Sequence, residues 1–384
     1  MNKVFSVTSL LLLLLMFGCT GSDIDKQVQK EMIDGILHLM NPEQPLNGNI
    51  TLQIEREREI NPYEEEDFGL RWIRFRRDKY GEVMLYSPNG SEVHRFDSDG
   101  KYLGNLIRQG QGPGEFTNFQ FLNPFFVNNQ LYITGGMKLA KFDKSGDFIN
   151  EIKIGQRPLI YVDESRFFVR KEERRDEGWN VKIELIEISS EANEDSNETI
   201  FFQKENVGFV EKPGVGGYTN PWGIPDILYS YDEYNQRLFI CLNTDYKIYV
   251  KNLNGETEFV IEKPYKTIGI SVEDKRNILS SFFESEPEKW QVDSFPDTLV
   301  AIKNLKSLPG GYVAVYTVTG INKYEMDIFN PEGHYIYSVT PLENIDLDEV
   351  KFYRFGFARI KTKEDGFFIY EEYRIKNLPE IFSD

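Results

Sequence analysis

Apolar and polar positions form a phrase that returns along the chain at a spacing of roughly 35–75 residues. In each copy, a short apolar strand follows a Gly or Asn turn, a second strand ends in a Phe-Asp or Phe-Asn turn, and a third strand leads away. The clearest copy has its strands at residues 80–85, 93–96 and 102–107, with the turn at residues 97–100. Repeated strand triplets with Gly turns are typical of a β-propeller.

Six copies of the apolar strand can be counted, and each follows a turn-forming or polar pair that suits a hairpin turn. The copies are Val83-Met84-Leu85, Leu131-Tyr132-Ile133, Phe167-Phe168-Val169, Leu238-Phe239-Ile240, Tyr312-Val313-Ala314 and Phe367-Phe368-Ile369. These runs are nearly continuous, as expected for strands that neighbouring blades bury on both faces. The pattern therefore predicts an all-β fold, a six-bladed propeller over residues 49–384.

Two segments lie outside the six units. The spare strand at residues 50–54 could pair with the last unit, which is short, and so close the ring without an exposed sheet edge. Between units four and five, Ser271 and the acidic residues after it predict a short helix that ends before Pro287.

The N-terminus has the pattern of a processing segment. A basic start with Lys3 precedes an apolar run over residues 4–17 that is too short to span a bilayer. The run ends in Gly18-Cys19, which resembles a bacterial lipoprotein signal in which Cys19 carries the lipid. We predict a signal peptide at residues 1–18, lipidation of Cys19 and attachment to a membrane through that lipid. The alternative is an ordinary secretory signal with an incidental cysteine.

Residues 19–48 are expected to be a tether and spacer, with a weak helix over residues 24–40. Thr20-Gly21 places no acidic residue directly after the lipid-bearing position. By resemblance to lipoprotein sorting, this favours the outer membrane over the inner one. The pattern leaves open whether the protein faces the periplasm or the cell surface.

Charge and residue counts narrow the range of partners. The formal net charge is −18, so nucleic acid is not an expected partner. His38, His94 and His334 are the only histidines, and their spacing does not fit a metal site. We therefore expect neither a metal nor another cofactor.

Seven residues are candidates for ligand contacts. The Gly-rich segment 108–116 lacks the Lys-Ser/Thr and the helix of a phosphate-binding loop, so we interpret it as a connector between blades whose polar side chains could line a face. Aromatic residues in or beside other connectors could stack on sugar or peptide ligands. The candidates are Arg108, Gln109, Gln111, Tyr161, Trp179, Tyr218 and Trp222.

Residues 96–103 followed by the Gly-Gln-Gly-Pro-Gly-Glu-Phe sequence at residues 110–116 resemble an NHL-type blade. Together with the lipoprotein signal, the chain resembles the six-bladed β-propeller lipoproteins of Bacteroides-type bacteria. That resemblance implies a fold and an envelope location.

Two functions remain open from the sequence. The first is a non-catalytic binding or scaffold module that holds a glycan, a peptide or a partner protein, because no catalytic set of residues can be identified. The alternative is a lactonase-like hydrolase or lyase with a carboxylate site at the propeller channel. Converging carboxylates around that channel would favour the enzyme.

Overall fold

The computed structural model describes residues 27–64 and 73–382, except for residues 89, 91, 118–121, 128–129, 137, 155, 157, 176–177, 189–194, 208–209, 212–217, 220–223, 284–285, 341 and 344. The predicted signal peptide, Cys19 and Trp222 lie outside the described residues. No helix in the described part of the chain is long and apolar enough to cross a membrane.

The first half of the chain contains blades one to three, which follow four N-terminal strands. The N-terminal strands are β1 (Gln29–Ile33), β2 (Ile36–Met40), β3 (Asn49–Thr51) and β4 (Ile54–Ile60), and a 3-10 turn follows at Pro62–Glu64. Blade one consists of β5 (Arg74–Arg77), β6 (Val83–Tyr86), β7 (Val93–Phe96) and β8 (Tyr102–Asn105). The parallel pair β9 (Arg108–Gln109) and β10 (Glu115–Phe116) leads to blade two, which consists of β11 (Asn123–Val127), β12 (Gln130–Gly135), β13 (Lys138–Phe142) and β14 (Phe148–Lys153). Blade three consists of β15 (Ile160–Tyr161), β16 (Arg166–Arg175), β17 (Gly178–Ile188) and β18 (Asp195–Val207).

The second half contains blades four to six. The small pair β19 (Val210–Glu211) and β20 (Tyr218–Thr219) precedes blade four, which contains β21 (Ile227–Asp232), β22 (Arg237–Leu242), β23 (Lys247–Asn252) and β24 (Thr257–Glu262). Helices α1 (Val272–Phe283) and α2 (Lys289–Ser294) follow. Blade five contains β25 (Ile302–Ser307), a 3-10 turn at Pro309–Gly311, β26 (Val313–Gly320), β27 (Lys323–Phe329) and β28 (Tyr335–Thr340). Blade six contains β29 (Lys351–Tyr353), β30 (Gly356–Thr362) and β31 (Phe368–Ile375), and α3 (Pro379–Phe382) follows.

Buried apolar side chains join each blade to the next. Each of the six junctions between neighbouring blades holds one apolar cluster, including the junction between blade six and blade one. Ile60 and Tyr370 from blade six pack against Phe75 from blade one in the closing cluster. Phe116 fills the cluster between blades one and two, so the Gly-rich segment is a connector, as predicted. The chain therefore forms a closed six-bladed ring, which confirms the fold prediction.

Strand β4 closes the ring, whereas the sequence pattern assigned closure to residues 50–54. Strand β4 pairs antiparallel with β31 and is the fourth strand of blade six, whereas β3 pairs with β28 at the edge of blade five. The apolar run at residues 367–369 therefore belongs mainly to the third strand of its blade, not to the second. The second strand, β30, was missed because its last four residues are only partly buried or exposed, so it gives no continuous apolar run.

The N-terminal segment also differs from its prediction. Strands β1 and β2 form a hairpin, not a weak helix, and β2 pairs in parallel with β24 at the outer edge of blade four. The spacer predicted for residues 19–48 therefore contributes two strands to a propeller sheet. Asp34-Gly35 forms the turn, with φ of 52° and 81°. Asp-Gly is a strong hairpin signal because both central residues of such a turn need a positive φ.

Asn41 fixes this hairpin to blades four and five. Its Nδ2 donates to the carbonyl of Gly333 (3.0 Å), and its Oδ1 accepts from the Tyr335 N–H (2.7 Å). We expect Asn41→Ala to lower the free energy of unfolding by about 1–3 kcal/mol, because buried backbone groups lose their partners. Hydrogen exchange should accelerate in β1 and β2. Asn150→Ala, at an exposed position of β14, is the control, and equal exchange in both variants would contradict this role.

The predicted turns and the helical insertion are present. Four turns between the third and fourth strands share one geometry, in which a side-chain oxygen accepts from the N–H four residues later and a glycine three residues later has a positive φ. The accepting residues are Asp97, Asp143, Asn252 and Asn330. At the start of α1, Ser271 Oγ accepts from the Asp274 N–H (3.1 Å) and Asp274 Oδ2 accepts from the Ser271 N–H (2.9 Å), which is a capping box.

Candidate functional site

The first strands of the blades line the axis of a propeller, and in blades one, five and six these strands carry positive charge. Strand β5 supplies Arg74, Arg76 and Arg77, and β25 and β29 add further lysines. In a chain with a net charge of −18, this is an unusual local excess of cations. Fields of one sign inside a concave, low-dielectric wall attract ligands of the opposite sign.

Three of these cations contact the next blade in the same rotational direction. Lys306 Nζ donates to the Val350 carbonyl (2.9 Å) from blade five toward blade six. Lys351 Nζ donates to the Phe75 carbonyl (2.9 Å), and Arg76 Nε donates to the Pro124 carbonyl (3.1 Å). The contacts stabilise the junctions between blades, and they also hold the three charges in fixed positions at the axis.

Arg76 and Lys351 converge on one acceptor. The Phe75 carbonyl that accepts from Lys351 also accepts from Arg76 Nη1 at 3.5 Å. Burial, together with the nearby Arg76, Arg74 and Lys306, holds the pKa of Lys351 well below its usual value. Among the described residues, neither Arg76 nor Lys351 has a carboxylate within salt-bridge distance.

A pocket of about 510 Å³ opens beside Arg76, at the end of the channel where the first strands turn into the second strands. We call it the mouth pocket. Its lining includes Arg76, Arg77, Asp78, Asn123, Phe125, Tyr161 and Glu233.

Phe125 and Tyr161 form an aromatic wall of the mouth pocket. Their rings stack with centroids 3.5 Å apart and planes inclined by 10°. Tyr161 is only 9% exposed, and its hydroxyl is closed off from solvent next to the Thr134 side chain. Burial raises the pKa of Tyr161 far above its usual value, so the hydroxyl keeps its proton. The aromatic pair therefore contributes ring atoms to the pocket, and the Tyr161 hydroxyl is not available to a ligand in this arrangement.

Polar groups complete the mouth pocket. Arg76 Nη2 donates to Asn123 Oδ1 (2.7 Å), so the guanidinium is held in place. Glu233 is exposed at the rim. Desolvation by the surrounding chain and the negative charge of Asp232 raise the pKa of its carboxyl, and the positive charge of Arg76 only partly opposes this rise. Asp78 is occupied by its own turn, since its Oδ1 accepts from the Tyr80 and Glu82 N–H groups.

The other predicted contact residues are not brought together with Tyr161. Arg108 and Gln109 are exposed on β9; Arg108 lines a groove of about 260 Å³ between blades one and two, and Gln111 lines a separate groove of about 690 Å³. Trp179 is partly buried against the cluster between blades three and four, and Tyr218 lies in β20. Their roles in binding stay predictions.

Sequence reasoning missed Arg76, Asn123, Glu233 and Lys351. One local signal was present, because the cationic run at residues 74–77 directly precedes the first apolar strand. Among the described residues, no group of three or more His, Cys, Asp or Glu lies close enough to hold a metal ion.

Comparison with known proteins addresses the fold. Residues 77–208, from the end of β5 through blade three, match the DUF5128 family, which is described as a 6-bladed beta-propeller. The chain is a six-bladed β-propeller. Among curated proteins, none matches the sequence.

Two solved structures align with most of this chain, and the first has a similar fold. A member of the DUF4221 family from Bacteroides vulgatus is 11% identical, with a TM-score of 0.54 over 85% of this chain and 99% of that chain. A putative exported protein from Bacteroides fragilis is 12% identical, with a TM-score of 0.48 over 88% of this chain and 99% of that chain. At these identities, the likeness concerns the fold alone.

Lys306 provides a test of the electrostatics at the axis. Burial lowers the pKa of Lys306 to about 8, although Asp348 and Asp346 oppose that shift. Between about pH 8 and pH 10.5 the unfolded chain therefore binds more protons at this site than the folded chain does. As the pH rises across this range, the free energy of unfolding of wild type should increase by up to about 3 kcal/mol relative to that of Lys306→Met. Urea unfolding at several pH values measures the difference, and parallel pH profiles would contradict the shift.

Proposed function

We propose that this protein is a non-catalytic binding module, held at the outer membrane by a lipid on Cys19, and that its ligand enters the mouth pocket. The observation that carries the proposal is the preformed pocket in which the Arg76 guanidinium, held in place by Asn123 and without a salt-bridge partner among the described residues, lies beside the aromatic pair Phe125 and Tyr161. Ligand sites are concave, largely preformed and lined by aromatic side chains with a few placed polar groups. The mouth pocket has this composition.

The rigidity of the ring supports binding at this position. Pocket residues come from the first strands and turns of blades one to four, and apolar clusters on both sides fix these strands. A preorganised site loses little conformational entropy when a ligand binds. The side chains that would hold a glycan, a peptide or a segment of a partner protein are therefore already in position.

The hydrolase or lyase alternative rests on Glu233. A carboxyl group with a raised pKa in a pocket is a candidate general acid. The second carboxylate at the wall, Asp78, holds its own turn, so this arrangement supports catalysis less well than binding. Turnover of a lactone, glycoside or ester by the purified protein, lost in Glu233→Gln, would overturn the binding proposal.

Arg76→Gln tests whether the mouth pocket is the binding site. The guanidinium lines the pocket and has no salt-bridge partner among the described residues, so it can contact a polar ligand. Ligands that raise the melting temperature of wild type in a thermal-shift screen of glycans and peptides should bind Arg76→Gln about tenfold more weakly, the loss of about one charge-assisted hydrogen bond. Lys323→Met, at an exposed lysine of β27, is the control, and circular dichroism shows whether Arg76→Gln is folded. If Arg76→Gln binds every screened ligand as wild type does, the pocket is not the binding site.

The lipid anchor is tested by Cys19→Ala. Without the acylated thiol, the protein should move from the membrane pellet to the soluble fraction, because stable anchoring depends on the acyl chains. A variant that stays in the pellet after a high-salt wash would contradict the anchor.

A further inference from the structure

We infer that the mouth pocket takes a short peptide with free termini, its carboxylate on Arg76 and its terminal ammonium on Glu233. The inference rests on the proposed binding function and names the class of ligand. Two charges of opposite sign line this pocket without an ion-pair partner among the described residues, and together they fit a zwitterion.

Arg76 and Glu233 face each other across the channel. Arg76 is on the first strand of blade one, and Glu233 is in the turn after the first strand of blade four, which is the opposite blade in a ring of six. The positive charge of Arg76 reaches Glu233, since it opposes the rise in the pKa of that carboxyl, yet the two side chains form no ion pair. A simple anion would meet Glu233 and a simple cation would meet Arg76, whereas a zwitterion places each charge beside the opposite one.

The other charged groups of the lining are already engaged. Arg77 Nε pairs with a glutamate of blade six (2.9 Å), and Asp78 holds its own turn. Lys79 Nζ lies 5.1 Å from the ring centroid of Tyr80, which lines the neighbouring groove and not the mouth pocket. Within the described lining, the two opposed charges are therefore the ones offered to a ligand.

The blade-one end of the pocket suits a carboxylate. Arg76 donates from Nη2 to Asn123 (2.7 Å), from Nε to the Pro124 carbonyl (3.1 Å) and from Nη1 to the Phe75 carbonyl (3.5 Å), so the guanidinium is fixed before a ligand arrives. A guanidinium has five N–H groups. Those that the protein leaves free are enough for the two parallel hydrogen bonds by which a guanidinium binds a carboxylate.

The blade-four end suits an ammonium. Glu233 is exposed at the rim, and the negative charge of the buried Asp232 adds to its own. Tyr231 lines the same side of the pocket, where burial and the charge of Glu233 raise the pKa of its hydroxyl to about 12. The hydroxyl therefore stays neutral at physiological pH. An ammonium has three N–H donors, which a carboxylate and a neutral hydroxyl oxygen can accept.

The wall between the two ends suits the body of a peptide. Blades two and three separate blade one from blade four, and they contribute Phe126, Val127 and Ile160, which are half-buried, to the lining. These side chains offer apolar surface to an aliphatic side chain of the ligand. A volume of about 510 Å³ lies within the range of small-molecule sites, so it suits a few residues and not a folded partner.

The test removes one charge of the ligand at a time. Isothermal titration at neutral pH and low ionic strength should detect binding of the tripeptide Ala-Leu-Ala to the purified mature protein. The N-acetylated tripeptide and the C-terminal amide should each bind at least tenfold more weakly, because each has lost one ion pair. Free leucine, which has both charges but no peptide body, should also bind at least tenfold more weakly.

Two variants assign each end of the ligand. Arg76→Gln should weaken binding of the free tripeptide about tenfold and leave binding of the amide unchanged, because the amide has no carboxylate. Glu233→Gln should weaken binding of the free tripeptide similarly and leave binding of the acetylated one unchanged. Lys323→Met, at an exposed lysine of β27, is the control. If circular dichroism shows that Arg76→Gln does not fold, the comparison rests on the exposed Glu233 and on the blocked peptides with wild type.

The outcomes separate the class of ligand from the binding function itself. Equal binding of the free, acetylated and amidated tripeptides, no binding of the free tripeptide, or equal binding of leucine would overturn the inference. In each of these cases, a glycan that binds wild type and binds Arg76→Gln more weakly would leave the binding module standing. If Arg76→Gln weakens no ligand of the thermal-shift screen, the proposed binding site is wrong and the inference falls with it.

Discussion

Asp327→Ala should lower the free energy of unfolding by about 3–5 kcal/mol, because it leaves a buried lysine without its partner. Asp327 is fully buried on β27 and receives hydrogen bonds from four side chains of blades four and five. The donors are Tyr246 (2.6 Å), Lys263 (2.5 Å), Thr317 (2.5 Å) and Tyr335 (2.6 Å). The Lys263 side chain is itself only 9% exposed, so water cannot replace the carboxylate.

A matched control separates this network from the loss of any aspartate. Asp293 forms an ion pair with Lys289 on the exposed surface of α2, and such pairs contribute at most about 1 kcal/mol. Urea unfolding followed by circular dichroism should therefore give a large loss for Asp327→Ala and almost none for Asp293→Ala. Similar losses in the two variants would contradict the role assigned to the buried network.

Arg58→Ala should open the ring at its closing strand, with a loss of about 3 kcal/mol. From β4, Arg58 pairs with Glu372 on β31 and donates to carbonyls of blade one, at Gly81 (2.9 Å) and Ser98 (2.7 Å). A single side chain therefore connects the N-terminal strand to the last blade and to the first. Its removal leaves Glu372, which is 5% exposed, with fewer donors.

The same strand provides the control for this prediction. Arg56 is 54% exposed and pairs mainly with Glu59, so Arg56→Ala should cost less than about 1 kcal/mol. Arg58→Lys should recover part of the loss, because it keeps the charge but not the several donors of the guanidinium. If Arg56→Ala destabilises the protein as much as Arg58→Ala, the effect is that of the strand and not of the contacts of Arg58.

The parts of the fold that the sequence could predict are those specified by local chemistry. Val83 and Ile133 belong to continuous apolar runs that two neighbouring blades bury, so each blade carries its own signal. The turn at Asp97 is similarly local, since its side chain binds the N–H four residues later. Strand β30 carried no such signal because its second half faces solvent, and the Asp34-Gly35 turn was overlooked within a segment interpreted as a spacer.

The candidate site depended on contacts that a single sequence does not display. Lys351 and Phe75 are far apart in the chain, and they meet only because the sixth blade packs against the first. Tyr161 could be proposed from its connector position, although its burial depends on the packing of blade two against blade three. Arg108 and Gln111 were proposed by the same reasoning, and the structure places them in grooves of the rim.

A crystal structure of the mature protein with its best ligand tests the central claim most directly. The ligand should be the compound that gives the largest rise in melting temperature among glycans and peptides. We expect density in the mouth pocket, within hydrogen-bond distance of the Arg76 guanidinium and next to the Phe125–Tyr161 pair. Density in the rim grooves at Arg108 or Gln111, with an empty mouth pocket, would contradict it.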